Sequence, residues 1–533
     1  MSLVRNGEGF LIFMGRHASL IFRAASRYSV WKARDAKGQE SMPNQRQPMS
    51  ISLRNIGGNA LAILTSDAMN RATSFVVYAM VARKLGAFEF GQMSLALSLF
   101  YIFQIFAVSG VKTMLIREVA KDRSLTRKYF VNGCLIVAVM SFVSLAALFG
   151  FVRAVHYTGS TKLVVLLLSL GLLPSAITAI CEGIFQAWER MRYIACVNVP
   201  CNLVKMAGAY LLLFWNRGLY TVVLLLLGAF FVVAGVEIWL VIRRFDVQSG
   251  LAQRDGIDLR FALGTLRSAS TFLGIDSICA IAGNLNIILL SKLATEKEVG
   301  LYSAATQLMV PLLLVYTSMA QSIFPMMCRK IEPGYRSLKQ IAENTMEVLM
   351  ILALPTVAGL YFLGDRVIAL LYQNHSFVQA FPALRIIASV VIFQVFTSVL
   401  GQALMASHRE KINLRIVLID GVVNLLVGWP LISLFGLLGA AIALFLTSLT
   451  DCVQHYLPTS RLLSGIPVLR LTWKPAVAAA CMALYLALPA GQVSLLTGVS
   501  AALIYGAAFL GLAVWASGGR QQFKEKYRPL FSE

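Results

Sequence analysis

Acidic residues are scarce in this chain. Its 533 residues include 25 Asp and Glu against 47 Lys and Arg, and charged residues of both signs make up only 14%. A soluble domain carries about a quarter of its residues as Asp, Glu, Lys and Arg, so this composition excludes an ordinary solvated surface. Histidines number five and cysteines eight. The cysteines include no C-x-x-C pair, and the nearest two, Cys196 and Cys201, are five residues apart, a spacing that suits neither zinc nor dithiol chemistry. They read as small apolar packing residues, and no metal site is expected.

Apolar length is what the chain has in abundance. Hydrophobic residues make up 58%, and mean hydropathy is +0.72. Very hydrophobic stretches run roughly over 57–83, 93–116, 130–152, 163–188, 194–215, 219–242, 265–291, 300–327, 344–364, 382–406, 415–435, 437–457, 473–490 and 494–516. Each is near the ~20 residues that an α-helix needs to cross the ~30 Å hydrocarbon core of a bilayer. The expected fold class is an all-α membrane protein with 14 transmembrane helices. Placing the N-terminus in the cytoplasm puts 35 of the 47 Lys and Arg on that side: 9 ahead of the first stretch, 22 in alternate connections and 4 in the tail. The other connections hold 9, counting residues within three of a stretch end with the adjoining connection, and Arg71, Lys112 and Lys205 fall deeper inside stretches. This positive-inside asymmetry predicts cytoplasmic N- and C-termini. A net charge of +22 would point to nucleic acid in a soluble protein. Spread over cytoplasmic connections it sets orientation and faces anionic headgroups, so membrane lipids are expected partners and nucleic acid is not.

The predicted organisation is a basic cytoplasmic segment over 1–54, an N-lobe of six helices over 55–245, a cytoplasmic interlobe loop over 246–264, and a C-lobe of six helices over 265–460. Helices 13 and 14 follow over 461–518, then a cytoplasmic tail over 519–533. The first fifty residues look foreign to the rest: eight Lys and Arg, three acids and one short apolar run, FLIFM, too brief to span. We expect the true start at Met42 or Met49. The two lobes repeat. KLGAFEFGQMSLA (84–96) follows the first stretch and KLATEKEVGLYSAA (292–305) follows the seventh, both fitting K-L, an acidic turn, then apolar-Gly-x-x-Ser-x-Ala. QAWERMR (186–192) matches MASHREK (405–411) after the fourth and tenth stretches. Six spans per copy keep both copies in one orientation, which predicts two pseudo-symmetric six-helix lobes about an axis along the membrane normal, with two C-terminal helices added.

These punctuating segments carry a family resemblance. ARKLGAFEFGQMSLALSLF followed by VSGVKTMLIREVAKDRS resembles the amino-terminal signature of bacterial polysaccharide transport proteins. EVGLYSAATQLMVPLLL, SIFPMMCRK, ALPTVAGLYFLGDRVIALLY and GLLGAAIALFLTSL resemble their carboxy-terminal half, in order, so the match covers roughly 52–460. The family is the oligosaccharide flippases (Wzx-type) of the multidrug/oligosaccharidyl-lipid/polysaccharide exporter superfamily. The resemblance implies a multi-pass protein of the bacterial inner membrane. It would move an undecaprenyl-diphosphate-linked oligosaccharide repeat unit from the cytoplasmic to the outer leaflet by alternating access, in surface polysaccharide biosynthesis. The resemblance implies a transporter rather than an enzyme, and other polysaccharide-assembly proteins are further partners that it allows. Many relatives carry Asp in the outer half of the seventh stretch, where this chain has Asn286.

A charge inside hydrocarbon costs at least about 2.5 kcal/mol, so each one needs a reason. Asp67 and Arg71 are four apart in the first stretch, hence on one helical face. They read either as a self-neutralised pair or as a cleft-lining face on which the Arg71 fork meets a lipid diphosphate. Asp276 in the seventh stretch occupies nearly the position of Asp67 in the repeat, but Phe272 and Ala280 stand one turn either side of it. An acid lacking a local cation tends to take a proton or a metal ion. Asp276 is therefore the leading ion-coupling candidate, with Asp67 and Glu182 beside it and H+ or Na+ as the ion; no cofactor is expected. The alternative is an acid hydrogen-bonded to Ser270, Ser277 or Asn284. Lys112 reads either as a substrate contact at the cleft mouth or as a side chain snorkelling to headgroups. Lys205 reads either as an ion-pair partner of Glu182 or as a third substrate contact. Glu237, Asp420 and Asp451 lie near cytoplasmic helix ends, where solvated or capping roles are expected.

Two other functions compete. A cation-coupled multidrug exporter of the same superfamily usually stops at twelve spans. A membrane glycan polymerase or ligase would want a large outer catalytic loop, and no outer connection exceeds about twenty residues. If Asp276 couples transport to an ion, Asp276→Asn abolishes the pH dependence of transport; unchanged transport with an unchanged pH profile rules that role out.

Overall fold

A computed structural model describes residues 53–245, 257–329, 335–487 and 495–516, and for 53–64, 271, 275, 495 and 496 only the backbone. The basic leader with its candidate starts, most of the predicted interlobe loop and the C-terminal tail lie outside the described residues. Among those described there is no strand. The helices, in chain order, are α1 (Leu53–Leu85), α2 (Ala87–Val108), α3 (Val111–Val119), α4 (Thr126–Val155), α5 (Gly159–Ser169), α6 (Leu172–Ala187), α7 (Arg192–Phe214) and α8 (Leu219–Arg244). They continue with α9 (Leu259–Leu293), α10 (Glu296–Arg329), α11 (Arg336–Tyr372), α12 (Phe381–Ala406), α13 (Glu410–Leu462), α14 (Val468–Ala487) and α15 (Leu495–Ala516). Among the described residues, each of the fourteen predicted stretches falls mainly on helix, and eleven helical segments are long and apolar enough to cross a membrane, with Glu410–Leu462 taken as one.

Two predicted stretches are subdivided by local backbone chemistry, and one continuous helix is divided where two stretches meet. The second breaks into α2 and α3 because Ser109 and Gly110 both take left-handed conformations (φ 51° and 69°). The fourth breaks into α5 and α6 at Leu170 and Gly171. The continuous α13 contains two helices, since Gly436 leaves helical geometry (φ 52°, ψ −122°). A Cβ on Gly439 would fall on the Leu431 carbonyl. Residues eight apart in an unbroken helix would sit about 12 Å apart, so the chain doubles back here, where the sequence divides the eleventh stretch from the twelfth.

The chain forms two compact units, Met1–Gly300 and Leu301–Glu533, with the division inside α10. In the first unit α9 packs on α2, α3 and α4. Its start is fixed to α4: Asp258 caps it by accepting from the Phe261 amide (3.0 Å), and the Asp258 amide donates to Asn132 Oδ1 (2.9 Å). The opposite end of α9 is held by Tyr157, whose hydroxyl meets Ser291 Oγ (3.0 Å), and by Lys292, which donates to the Val155 carbonyl. Beside it, Gln92 donates to Ser160 and Thr161 (2.8 and 2.9 Å), and Thr158 and Thr161 both donate to Glu296 (3.2 Å each).

In the second unit the two added helices pack on α11. Lys474 of α14 donates to Glu347 of α11 at 3.4 Å with both side chains buried, and the Tyr505 hydroxyl donates to the Ile351 carbonyl at 2.7 Å. An apolar cluster that includes Leu363, Ala478, Met482, Leu486, Tyr505 and Phe509 completes the joint.

The tightest approach in the first unit involves the two copies of the repeat. Gly91 of α2 and Gly300 of α10 hold equivalent places in the repeated motif, and in the structure they meet. A Cβ on Gly91 would fall on the Glu296 carbonyl and 2.8 Å from the Gly300 nitrogen; one on Gly300 would fall on the Ala87 carbonyl and 3.0 Å from the Gly91 nitrogen. Small residues let helix backbones touch in this way. Gly91→Ala and Gly300→Ala should each lower the thermal midpoint of the detergent-solubilised protein, since overpacking costs about 1–3 kcal/mol. The double variant should lose less than the sum, because both side chains strike one contact. Gly150→Ala, which meets nothing within 4 Å, is the neutral control, and equal midpoints for all three would refute the packing account.

Candidate functional site

The richest buried polar network in the first unit starts from a break in a helix. The turn at Ser109 and Gly110 re-aims the chain, and Lys112 follows as the second residue of α3. A Cβ on Gly110 would lie 2.7 Å from the Ala269 carbonyl of α9, so the break fits closely against that helix. Lys112 thus points into the bundle and donates to Glu182 Oε2 of α6 at 2.6 Å, with 7% and 8% of the two side chains exposed. Gly183, next to Glu182, makes room: its Cβ would sit 3.5 Å from Lys112 Cγ. Glu182 Oε1 accepts from Asn198 of α7 at 3.4 Å. Asn198 also donates to Ser66 of α1 (3.3 Å), and one turn along Asn202 donates to Asn70. Ser66 with Asn70, and Asn198 with Asn202, are spaced i, i+4, so α1 and α7 meet along two polar rungs.

A third ionisable group completes the site. Glu237 of α8 is 0% exposed, and neither carboxyl oxygen has a hydrogen-bond partner. The charges of Glu182 and Lys112 act on it, and it acts in turn on Cys181 of α6. Beyond it the end of α8 is sealed. Val241 and Phe245 are fully buried, and the Phe245 ring packs on Phe185, Trp188 and Tyr193. Arg123 and Arg190 stand over the Trp188 ring at 5.0 and 5.9 Å, a cation–π arrangement at the rim of the bundle.

The sequence-predicted residues divide. Lys112 and Glu182 come together, whereas the expected partner of Glu182 was Lys205. The correction has a simple cause: the Ser109–Gly110 turn brings the Lys112 ammonium to Glu182. With its side chain 7% exposed, Lys112 does not snorkel. Lys205 is half-buried on α7, where its charge acts on Cys201. Asp67 and Arg71 are both half-buried on α1, and Asp67 lies in the fields of Arg71, Glu182 and Lys112. Asp276 is half-buried on α9. The side chains offered to it as partners, Ser270, Ser277 and Asn284, each donate to a carbonyl three or four residues back on their own helix. Glu237 is neither solvated nor a cap. Its nearness to the end of the sixth stretch misled, because the aromatic cluster carries the bundle interior out to that end. Asp420 accepts from Gln454 at 2.8 Å, and Asp451 pairs with His455 at 2.9 Å, so these two acids also have protein partners. Among the described residues no cluster of three His, Cys, Asp or Glu could hold a metal ion.

Residues 56–330 match the family model described as polysaccharide biosynthesis protein. The chain is 20% identical over 403 residues to the probable low-salt glycan biosynthesis flippase Agl15 of Haloferax volcanii, covering 74% of this chain and 82% of that protein. Its fold is similar to that of the lipid II flippase MurJ in an inward closed conformation, with a TM-score of 0.68 and 14% identity over 89% of this chain and 99% of the other. It is also similar to an inward-facing multidrug resistance transporter of the MATE family, within the MOP superfamily (TM-score 0.60, 13% identity, 74% of this chain and 96% of the other).

Removing one partner of a buried ion pair costs about 3–5 kcal/mol, whereas replacing both with apolar side chains is often neutral. Lys112→Met should therefore sharply lower the thermal midpoint, and Lys112→Met with Glu182→Leu should recover most of the loss. A double variant no more stable than the single one would show that the pair does not couple the helices.

Proposed function

The chain belongs to the polysaccharide biosynthesis protein family, and from that premise we propose that it is a flippase for lipid-linked glycan, moving an undecaprenyl-diphosphate-linked oligosaccharide from the cytoplasmic to the outer leaflet of a bacterial inner membrane. The observation that carries this reading is that the family match, over 56–330, takes in every helix bearing the buried ion network. The similarity to a protein named as a glycan biosynthesis flippase supports it. In this reading the chain crosses the bilayer fourteen times with both termini cytoplasmic. It makes and breaks no covalent bond, and it exposes a polar headgroup site alternately to the two sides, with H+ or Na+ as the coupling ion.

The division of labour follows from charge and exposure. The Lys112 ammonium is already engaged by Glu182, so it organises the bundle. Arg71 and Lys205 are half-buried and are the cations we assign to the diphosphate. A guanidinium suits that task because its planar fork donates two parallel hydrogen bonds to phosphate oxygens.

Depletion of the protein should trap the lipid-linked glycan in the cytoplasmic leaflet, read with an impermeant glycan-modifying probe, and surface polymer should be lost. An unchanged leaflet distribution would move the assignment to multidrug export. A charged hydrogen bond contributes about 1.5–3 kcal/mol, so Arg71→Gln should slow flipping roughly tenfold or more. Arg71→Lys should retain part of the rate; parity of both variants with the parent would remove Arg71 from the headgroup site.

A further inference from the structure

The acid with the strangest surroundings in the molecule is Glu237. Its two oxygens are fully buried and have no hydrogen-bond partner. A carboxylate in that condition would forfeit its solvation without recompense, a cost of several kcal/mol even after the protein relaxes. A neutral carboxylic acid in the same place gives up only the hydrogen bonds of a polar group, about 1–3 kcal/mol. The charge balance agrees. Helix α8 packs on α6, α7, α5 and α2. Glu182 from α6 and, from α3, Lys112 are charged groups that act on Glu237, and Cys181 of α6 is the thiol within its influence. The Lys112 ammonium is spent on Glu182 at 2.6 Å. Counted over Lys112, Glu182 and Glu237, one cation and two carboxylates sum to −1; one cation, one carboxylate and one carboxylic acid sum to zero.

We propose that Glu237 is a proton-binding site, loaded in this closed arrangement of the first unit, and that releasing its proton requires the Lys112–Glu182 pair to rearrange. The rearrangement is dictated by competition. An ionised Glu237 and Glu182 would contend for one ammonium, and the loser would need water or another cation. Lys112 is the residue they share, and it sits two positions past the Ser109–Gly110 break. Glu182 holds Asn198, and Asn198 holds Ser66, so a change of partner at Lys112 reaches α6, α7 and α1 together. A proton leaving Glu237 would travel toward the nearer end of α8, whose last residue, Arg244, is seven positions away, about 10 Å along a helix. Val241, Phe245 and the aromatic cluster around Phe245 close that route here. The proton-site assignment stands on the complete burial of Glu237 and its unpartnered oxygens; its use in transport rests on the flippase reading above.

Infrared spectroscopy of the full chain in lipid nanodiscs tests the site. At neutral pH the wild type should show the carbonyl stretch of a protonated carboxyl, shifting in D2O, and Glu237→Gln should lack it. A difference spectrum that instead shows loss of ionised-carboxylate stretches would overturn the proposal. Should the Gln variant fail to fold, Glu237→Asp keeps the acid but displaces it, and a carbonyl band that does not move in that variant is equally fatal. The leaflet assay then separates site from use. Glu237→Gln, fixed in the neutral form, should flip glycan at a rate that no longer varies with pH. A wild type that bears the infrared band but moves no glycan would retire the flippase reading and leave the proton site standing.

Discussion

An ion that cannot reach water must find its counter-ion within the protein, and the first unit is arranged around that requirement at Lys112. A lysine two residues into a short helix would ordinarily reach outward along its own stem. Here the left-handed pair Ser109–Gly110 turns it inward, Gly183 leaves room for its stem, and Glu182 waits at 2.6 Å. Once that pair exists, the amide of Asn198 and the hydroxyl of Ser66 complete the shell of Glu182, and α1 and α7 are drawn into register by the second rung at Asn70 and Asn202. One ion pair thereby sets the placement of α1, α3, α6 and α7, and it leaves Glu237 of α8 as the acid for which no cation remains.

The second unit uses the same device for a different end. Lys474 and Glu347 are also a buried lysine–glutamate pair, at 3.4 Å, but they join an added helix to the bundle instead of tying the bundle together. The surrounding cluster of Leu363, Met482, Tyr505 and Phe509 is apolar, and apolar side chains alone attract one another weakly where lipid is the competitor. A charge pair and the Tyr505 bond to the Ile351 carbonyl provide what hydrocarbon contacts cannot: a preferred register for α14 and α15 against α11.

Hydropathy carried most of the architecture, because a segment that must satisfy its backbone in hydrocarbon has almost no choice but helix. The hairpin at Gly436 was visible as a gap between two apolar runs. The break at Ser109–Gly110 was not, since Gly is ordinary in membrane helices and no proline stands there; the break at Leu170–Gly171 has a local mark in Pro174, which has no amide to donate to the Leu170 carbonyl. The site was half legible. Charge rarity made Lys112 and Glu182 conspicuous, since an expensive residue stands out wherever it occurs. Their partnership was not readable, because it depends on which way α3 turns, and the sequence offered Lys205 on an adjacent helix as the partner of Glu182. Glu237 was misjudged because distance from a helix end measures exposure only when that end is bare, and here Phe185, Trp188, Tyr193 and Phe245 cover it.

The meeting of Gly91 with Gly300 has an evolutionary reading. A contact in which the same residue stands on both sides is isologous, the kind that a two-fold axis generates between identical subunits. If the repeated halves descend from one gene whose product paired with itself, this glycine would have faced its own copy across the axis, and a single substitution would have struck both sides at once. Fusion into one chain relaxes that symmetry and lets each side drift. In the present chain the constraint is the spacing between the two backbones, since a Cβ on either glycine would strike the other helix.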